Sequence, residues 1–473
     1  MRLRFVVVAG LVLLAAPGLG AQELSPAMAK GIDEIFATYA KPGGPGCAVG
    51  VYQNGKTTFA RGYGLANITN EVPITPTTRF TTGSVSKQFT AASIALLVRA
   101  GRISLDDDVR KYVPELVDYG TPIKIRHLVH HTSGLRDFWE LVDLAGMRPD
   151  DGYTVDDMLA LAAKQKGLNF PPGSEYRYSN TGYLVMGVIV KRVTGQTLRQ
   201  FADSAIFKPL GMTETLFLDD HNEIVPRRAI AYSPSGKTWK INVWNNDLVG
   251  QGGIVTSLAD LQKWDENFYS GTLGGKEFVD LVQTTEPLSG GGKNDYAFGL
   301  TVETYRGQRL VQHTGATGGY RSAIYRFPAQ HTSVAMMCNV STANTTTLAL
   351  SMADVLLDTQ LATADISVAS RRAGRSMATL NVRSGTVGLA GRYVSSELND
   401  AIWRVVTGAD SSRIEIRSTR HEPMMLVATA PREYSSPDAS VRVRFDESAK
   451  GDAPGFRVFG SRVSGLRFTR VAH

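Results

Sequence analysis

Three short clusters in this chain have residue types and spacing that could do covalent chemistry. The first is Ser84-Val85-Ser86-Lys87, at the mouth of a helical run from Gln88 to Val98 that Gly101 closes. On a helix, residues three apart share a face, so Lys87 lies beside Ser84. A serine hydroxyl is a poor nucleophile until a basic group within hydrogen-bond reach takes its proton. The second cluster is Tyr178-Ser179-Asn180, at the entry of a helical run from Thr181 to Thr194 that Gly195 stops. The third is His313-Thr314-Gly315-Ala316, followed by Thr317-Gly318-Gly319. Glycines there suit a strand edge that another backbone approaches closely.

The three clusters, in this order, resemble the motifs of the active-site serine penicillin-recognising enzymes. More narrowly, the chain is similar to the branch holding class C β-lactamases, DD-peptidases, D-aminopeptidases and related esterases, the S12-type serine hydrolases. The stretches from His127 to Leu135 and from Gly252 to Leu261 carry the same resemblance, which extends from about residue 27 to about residue 360. The resemblance implies that Ser84 is the nucleophile, that Lys87 and Tyr178 do the acid–base work, and that Asn180 orients Lys87 and the substrate amide. Backbone N–H groups of Ser84 and Ala316 map onto the family's oxyanion hole, and His313, Thr314, Gly315 and Ala316 face the substrate. An ammonium at Lys87 is expected to lower the phenol pKa of Tyr178. Whether Lys87 or Tyr178 is the base stays open. Histidine replaces the lysine that many β-lactamases of this branch carry at position 313, which favours peptide or ester substrates. There it would act as a weak, pH-dependent cation for a substrate carboxylate.

These side chains need a scaffold, and the rest of the chain supplies one. Asn54-Gly55 between two alternating runs, 46–52 and 57–62, predicts a β-hairpin. Mixed, mostly helical sequence follows to about Pro172, with a Thr154-x-x-Asp157 start for a helix through Ala163. Ser257-Leu258-Ala259-Asp260 predicts a capping box for a helix through Tyr269. Strands are predicted over 298–304, 308–312, 322–327 and 333–340, then a helix over 346–361. The expected fold is α+β: an antiparallel sheet flanked by helices, with an inserted mainly helical subdomain, as in the resembled family. Residues 362–384 are poor in large apolar types and read as a linker. Beyond it, short strands of period two, such as Ile402 to Val406 and Arg413 to Arg417, predict an antiparallel β-barrel over 385–473. This part resembles the lipocalin-like domains of some D-aminopeptidases, and is expected to be separable and to shape access to the cleft.

Bulk properties bound the partners. The 473 residues, 43% hydrophobic and 20% charged, are those of a globular protein large enough for two domains. A net charge of +7 without a Lys/Arg block argues against nucleic-acid binding. Arg2 and Arg4 before an apolar run from Phe5 to Ala16, then small residues to Ala21, predict a Sec-type signal peptide over 1–21. A hydrolase domain over 22–361, a periplasmic or secreted location and no stable membrane anchor follow from that. His127, His130 and His131 lack a carboxylate or cysteine partner at recognisable spacing, so neither metal nor organic cofactor is expected. Cys47 and Cys338 read as two buried free thiols. The resembled fold makes their strands neighbours and leaves a disulfide open.

The expectation is therefore a secreted serine hydrolase working through a Ser84 acyl-enzyme on a peptide or small-molecule substrate, foremost peptides containing D-amino acids or of peptidoglycan type. A carboxylesterase or weak class C-like β-lactamase, and a non-turnover penicillin-binding or peptide-sensing protein, are the alternatives. Oligomeric state is left open.

Overall fold

The computed structural model describes residues 23–363 and 386–471, apart from 409, 411, 421 and 448–450. The expected signal peptide and almost all of the expected linker lie outside the described residues.

Strand β1 (Cys47–Gln53) turns through Asn54-Gly55 into β2 (Lys56–Tyr63), both turn residues having positive φ as a tight hairpin requires. Four late strands complete an antiparallel sheet: β3 (Thr301–Tyr305), β4 (Gln308–Thr317), β5 (Tyr320–Phe327) and β6 (Thr332–Cys338), in the order β3-β4-β5-β6-β1-β2. Alternate residues of β1 serve different layers. Cys47, Val49 and Val51 pack with Ile32 and Phe36 of helix α1 (Pro26–Phe36) and with Met352 and Leu356 of the late helix Thr345–Leu357. Ala48 and Tyr52 face the other way, toward Phe80, Val85, Leu258 and Leu261. The site lies on that second side, where helix α2 (Lys87–Arg99) is buried along nearly its whole length. Helix α3 (Phe138–Leu144) and helix α4 (Asn180–Thr194), the latter ended by left-handed Gly195, stand beside it in the helical subdomain.

The expected helix at Ser257 forms, over Leu258–Ser270, but only half of its capping box does. Ser257 Oγ accepts the Asp260 N–H, while the Asp260 carboxylate turns to the Glu214 N–H and Thr215 instead. The cysteine expectation needs correcting. Cys47 and Cys338 form a disulfide, directly opposite each other in the β1–β6 ladder with Cα atoms 4.0 Å apart. The opposed register, which residue types alone do not reveal, is what brings the two sulfurs together.

The C-terminal strands close into an eight-stranded antiparallel barrel: β7 (Gly391–Ser395), β8 (Ala401–Thr407), β9 (Arg413–Arg417), β10 (Met424–Ala430), β11 (Glu433–Ser435), β12 (Arg442–Phe445), β13 (Gly455–Phe459) and β14 (Leu466–Val471). Its interior is packed with Tyr393, Trp403, Phe445, Phe456 and Phe468, with the Phe456 and Phe468 rings stacked 5.0 Å apart. The barrel is docked, not loosely tethered. Arg136 forms a buried ion pair with Glu397 at 2.7 Å, and the Trp403 indole N–H donates to the Leu144 carbonyl at 2.9 Å. Its apolar core runs continuously into that of the helical subdomain. The barrel, expected to be separable, thus meets the helical subdomain over a shared apolar and polar interface.

Candidate active site

Ser84 does not begin the α-helix. It sits in a 3-10 turn, Gly83–Ser86, that feeds into α2 at Lys87. Gly83 has φ +54°, and a Cβ there would lie 2.7 Å from the Ala316 backbone nitrogen. A Cβ on Gly315 would overlap the Thr82 carbonyl oxygen and come within 3.0 Å of the Ser84 nitrogen. Both glycines thus let β4 press its backbone against the turn that carries the nucleophile, bringing the Ser84 and Ala316 backbone amides to one place. Ser86 is excluded as the nucleophile by its own bonds: its hydroxyl donates to the Gly83 carbonyl and accepts from the Ile254 N–H.

Lys87 is fully buried, and its amine touches three groups: Gln251 O at 2.6 Å, Asn180 Oδ1 at 2.9 Å and Ser84 Oγ at 3.2 Å. The first two can only accept, so two N–H bonds are spent on them. Burial pushes the amine pKa well below its ordinary value; Asp137 opposes the shift and Arg462 reinforces it. A neutral amine then turns its lone pair to the third contact, the Ser84 hydroxyl. Asn180 is held in register from below. Asp137 Oδ2 accepts both its backbone N–H (2.7 Å) and its side-chain N–H (2.8 Å), while Asp137 Oδ1 caps α3 through the Trp139 N–H.

Tyr178 lines the same cavity as Ser84, and its ring lies 4.7 Å from the Lys87 nitrogen. Its phenol pKa moves opposite to expectation. Burial raises it, outweighing the lowering by Ser84 and Arg462. His313 also departs from expectation. It is buried, and burial, assisted by Lys87 whenever that amine is charged, lowers its pKa to about 4. Nδ1 lies 2.5 Å from the Thr314 carbonyl and so carries the proton; Nε2 accepts the Tyr296 hydroxyl at 2.9 Å. At neutral pH this is an uncharged imidazole with both nitrogens occupied, not a cation for a carboxylate.

Ser84, Tyr178, Asn180, His313, Thr314, Gly315 and Ala316 all line one cavity of about 770 Å³, with Lys87 directly beneath. Trp139 and Trp244 form a wall, their rings 4.9 Å apart; Phe138 is buried in the core instead. Of the histidine group, His127 accepts the Lys124 N–H, His130 bonds the Tyr296 carbonyl and His131 accepts the Ser179 N–H while packing 4.2 Å from the Tyr178 ring. Three contributors escaped the sequence reading. Gln251 acts through its carbonyl, which has no side-chain signature. Asp137 belongs to no motif that the sequence singles out, and its cap on α3 emerges only in the structure. Arg462 comes from the barrel, 378 residues after Ser84, in the loop between β13 and β14.

A family model described as Beta-lactamase matches residues 32–357. The chain is 31% identical over 309 residues to a D-aminopeptidase of Gluconobacter oxydans, covering 64% of this chain and 58% of that protein. It is 29% identical to a D-aminopeptidase of Brucella anthropi, covering 63% and 56%. The chain thus spans less than three-fifths of the length of these relatives. Among solved structures, an octameric penicillin-binding protein homologue from Pyrococcus abyssi shares the fold over 94% of this chain and 99% of its own, with TM-score 0.63 and 23% identity. The chain belongs to the beta-lactamase family.

Proposed function

We propose that this member of the beta-lactamase family cleaves amides and peptides containing D-amino acids through an acyl-enzyme on Ser84, outside the cytoplasm. The observation that carries the reading is the trapped amine of Lys87, bound by two obligate acceptors and left facing the Ser84 hydroxyl. Lys87 takes the Ser84 proton as Oγ attacks the substrate carbonyl carbon. The oxyanion is received by the Ser84 and Ala316 amides, where fixed donors stabilise charge that develops only in the transition state. Tyr178, a neutral phenol beside Ser84, passes its proton to the leaving amine and takes back the one held by the Lys87 ammonium, and the amine departs as the carbonyl reforms. Water then attacks the ester, and the same groups return the proton to Ser84.

Two kinds of relative support the substrate class: the D-aminopeptidases, and a D-amino acid amidase from Ochrobactrum anthropi with which the chain shares a fold at TM-score 0.57. The Cys47–Cys338 disulfide supports an oxidising compartment. The test is intact mass and turnover with D- and L-alanine anilides and a penicillin. The wild type is expected to form an adduct on Ser84 and to prefer the D-anilide. Lys87→Met should cost on the order of 10²–10⁴ in rate. An adduct that survives Ser84→Ala would end the proposal.

A further inference from the structure

The loop between β13 and β14 is built into the hydrolase domain with unusual completeness. The Arg462 carbonyl accepts the Asn169 amide at 2.8 Å and the Asp137 N–H at 3.3 Å, and the Arg462 N–H donates to Glu140. Two residues on, Ser464 donates its N–H to Asn169 Oδ1 at 2.7 Å, and its carbonyl accepts two N–H groups of Arg136. Arg136 is itself anchored to Glu397 of the barrel. This backbone is pinned from both domains, so the place where Arg462 projects its side chain is fixed.

The guanidinium is the opposite: fixed in place and chemically unspent. It lies over the Tyr178 ring, 4.9 Å from the centroid, and lines the same cavity as Ser84. Its side chain keeps 43% of its exposure, and its nearest carboxylate is Asp137 Oδ2, at 3.9 Å. That is too far for a hydrogen bond, and Asp137 already serves Asn180 and Trp139. An arginine carries five N–H donors in a planar fork matched to a carboxylate. Asp and Glu are absent from the described residues lining the cavity, whereas Arg228 and Arg321 join Arg462 there. A free ammonium entering this cleft would meet cations and find no lining carboxylate as partner.

We infer that Arg462 is a substrate-binding residue lent by the barrel, which receives a carboxylate on the acyl donor beside Tyr178, so that the enzyme prefers D-amino-acid substrates with an anionic acyl part over those with a free α-amine. The inference rests on the serine-hydrolase reading above and deepens it. It also separates this chain from what the name aminopeptidase says of its relatives.

Three anilides of one amino acid test it on the full chain: N-succinyl-D-alanine, N-acetyl-D-alanine and free-amine D-alanine p-nitroanilide. They place a carboxylate, a neutral group and an ammonium on the same acyl part. The wild type is expected to rank them by kcat/KM in that order. Arg462→Gln should lower the succinyl-to-acetyl ratio about ten- to a hundredfold, the range for losing a charge-assisted hydrogen bond, mostly through KM. Arg462→Lys should restore part of the ratio. The same ligands are titrated onto Ser84→Ala protein with and without Arg462→Gln, where binding needs no turnover. Equal affinities for the succinyl and acetyl compounds, or a ratio that Arg462→Gln leaves unchanged, would overturn the inference even in an active enzyme. Succinyl preference in binding without any turnover would uphold the carboxylate site and count against the hydrolase reading alone.

Discussion

If His313 is an uncharged, buried imidazole, lowering the pH must cost this protein stability in a way that depends on that side chain. Its pKa is about 4 in the folded protein and about 6.5 in an unfolded chain. Between those values the unfolded state binds more protons than the folded one, so stability rises with pH across the window. The contribution is therefore complete above about pH 6.5 and is lost as pH falls toward 4. Integrating the two titrations from about pH 7 to about pH 4.5 gives a loss on the order of 2 kcal/mol from this one group. Other groups share the acid slope, since burial also lowers His127 to about 4 and His131 well below its ordinary value. The comparison that isolates His313 is wild type against His313→Gln, whose amide can still accept the Tyr296 hydroxyl. Urea unfolding of both proteins, followed by fluorescence and circular dichroism at steps through the window, gives the difference directly. The wild type should lose about 2 kcal/mol more than the variant between pH 7 and 4.5. Parallel stability curves would refute the reasoning and restore a titrating, substrate-facing imidazole at position 313.

Two further outcomes follow from the same packing. Gly315→Ala should stay folded but push β4 away from the Ser84 turn, because the added methyl would overlap the Thr82 carbonyl; a displaced oxyanion donor costs on the order of 10²–10³ in kcat, read with any ester substrate. Arg136→Met leaves Glu397 buried without its partner and should destabilise by about 3–5 kcal/mol, with limited proteolysis showing the barrel released first. A melting curve unchanged by Arg136→Met would mean that the two domains do not depend on each other.

The sequence shows parts of this site and hides others for identifiable reasons. Ser84 and Lys87 are legible because a helical turn fixes their spacing locally, Tyr178 and Asn180 because they mark the entry of a helix, and the His313 cluster because glycine marks a close backbone approach. The hairpin at Asn54-Gly55 and the period of two in the barrel strands are legible on the same local grounds. Burial is a property of the assembled core, and two expectations failed on it: the Tyr178 phenol pKa, expected to be lowered by an ammonium at Lys87, is raised, and the His313 imidazole, expected as a weak cation, is pushed down to about 4. Register is likewise a tertiary property, so the Cys47–Cys338 pairing could not be read from apolar runs.

Arg462 is the extreme case. Gly460-Ser461-Arg462-Val463-Ser464-Gly465 reads as an ordinary polar turn between two strands. Nothing in those six residues points to a cleft lined otherwise by residues between 81 and 346. What gives the turn its place is the fit of the whole barrel against the helical subdomain, through Arg136, Glu397, Asn169 and Glu140. The Ser84–Lys87 pair is therefore encoded locally, while the place of the Arg462 charge is set by domain docking. One fold can thus keep its motif residues and change the charge at its cleft by altering a loop that lies outside those motifs.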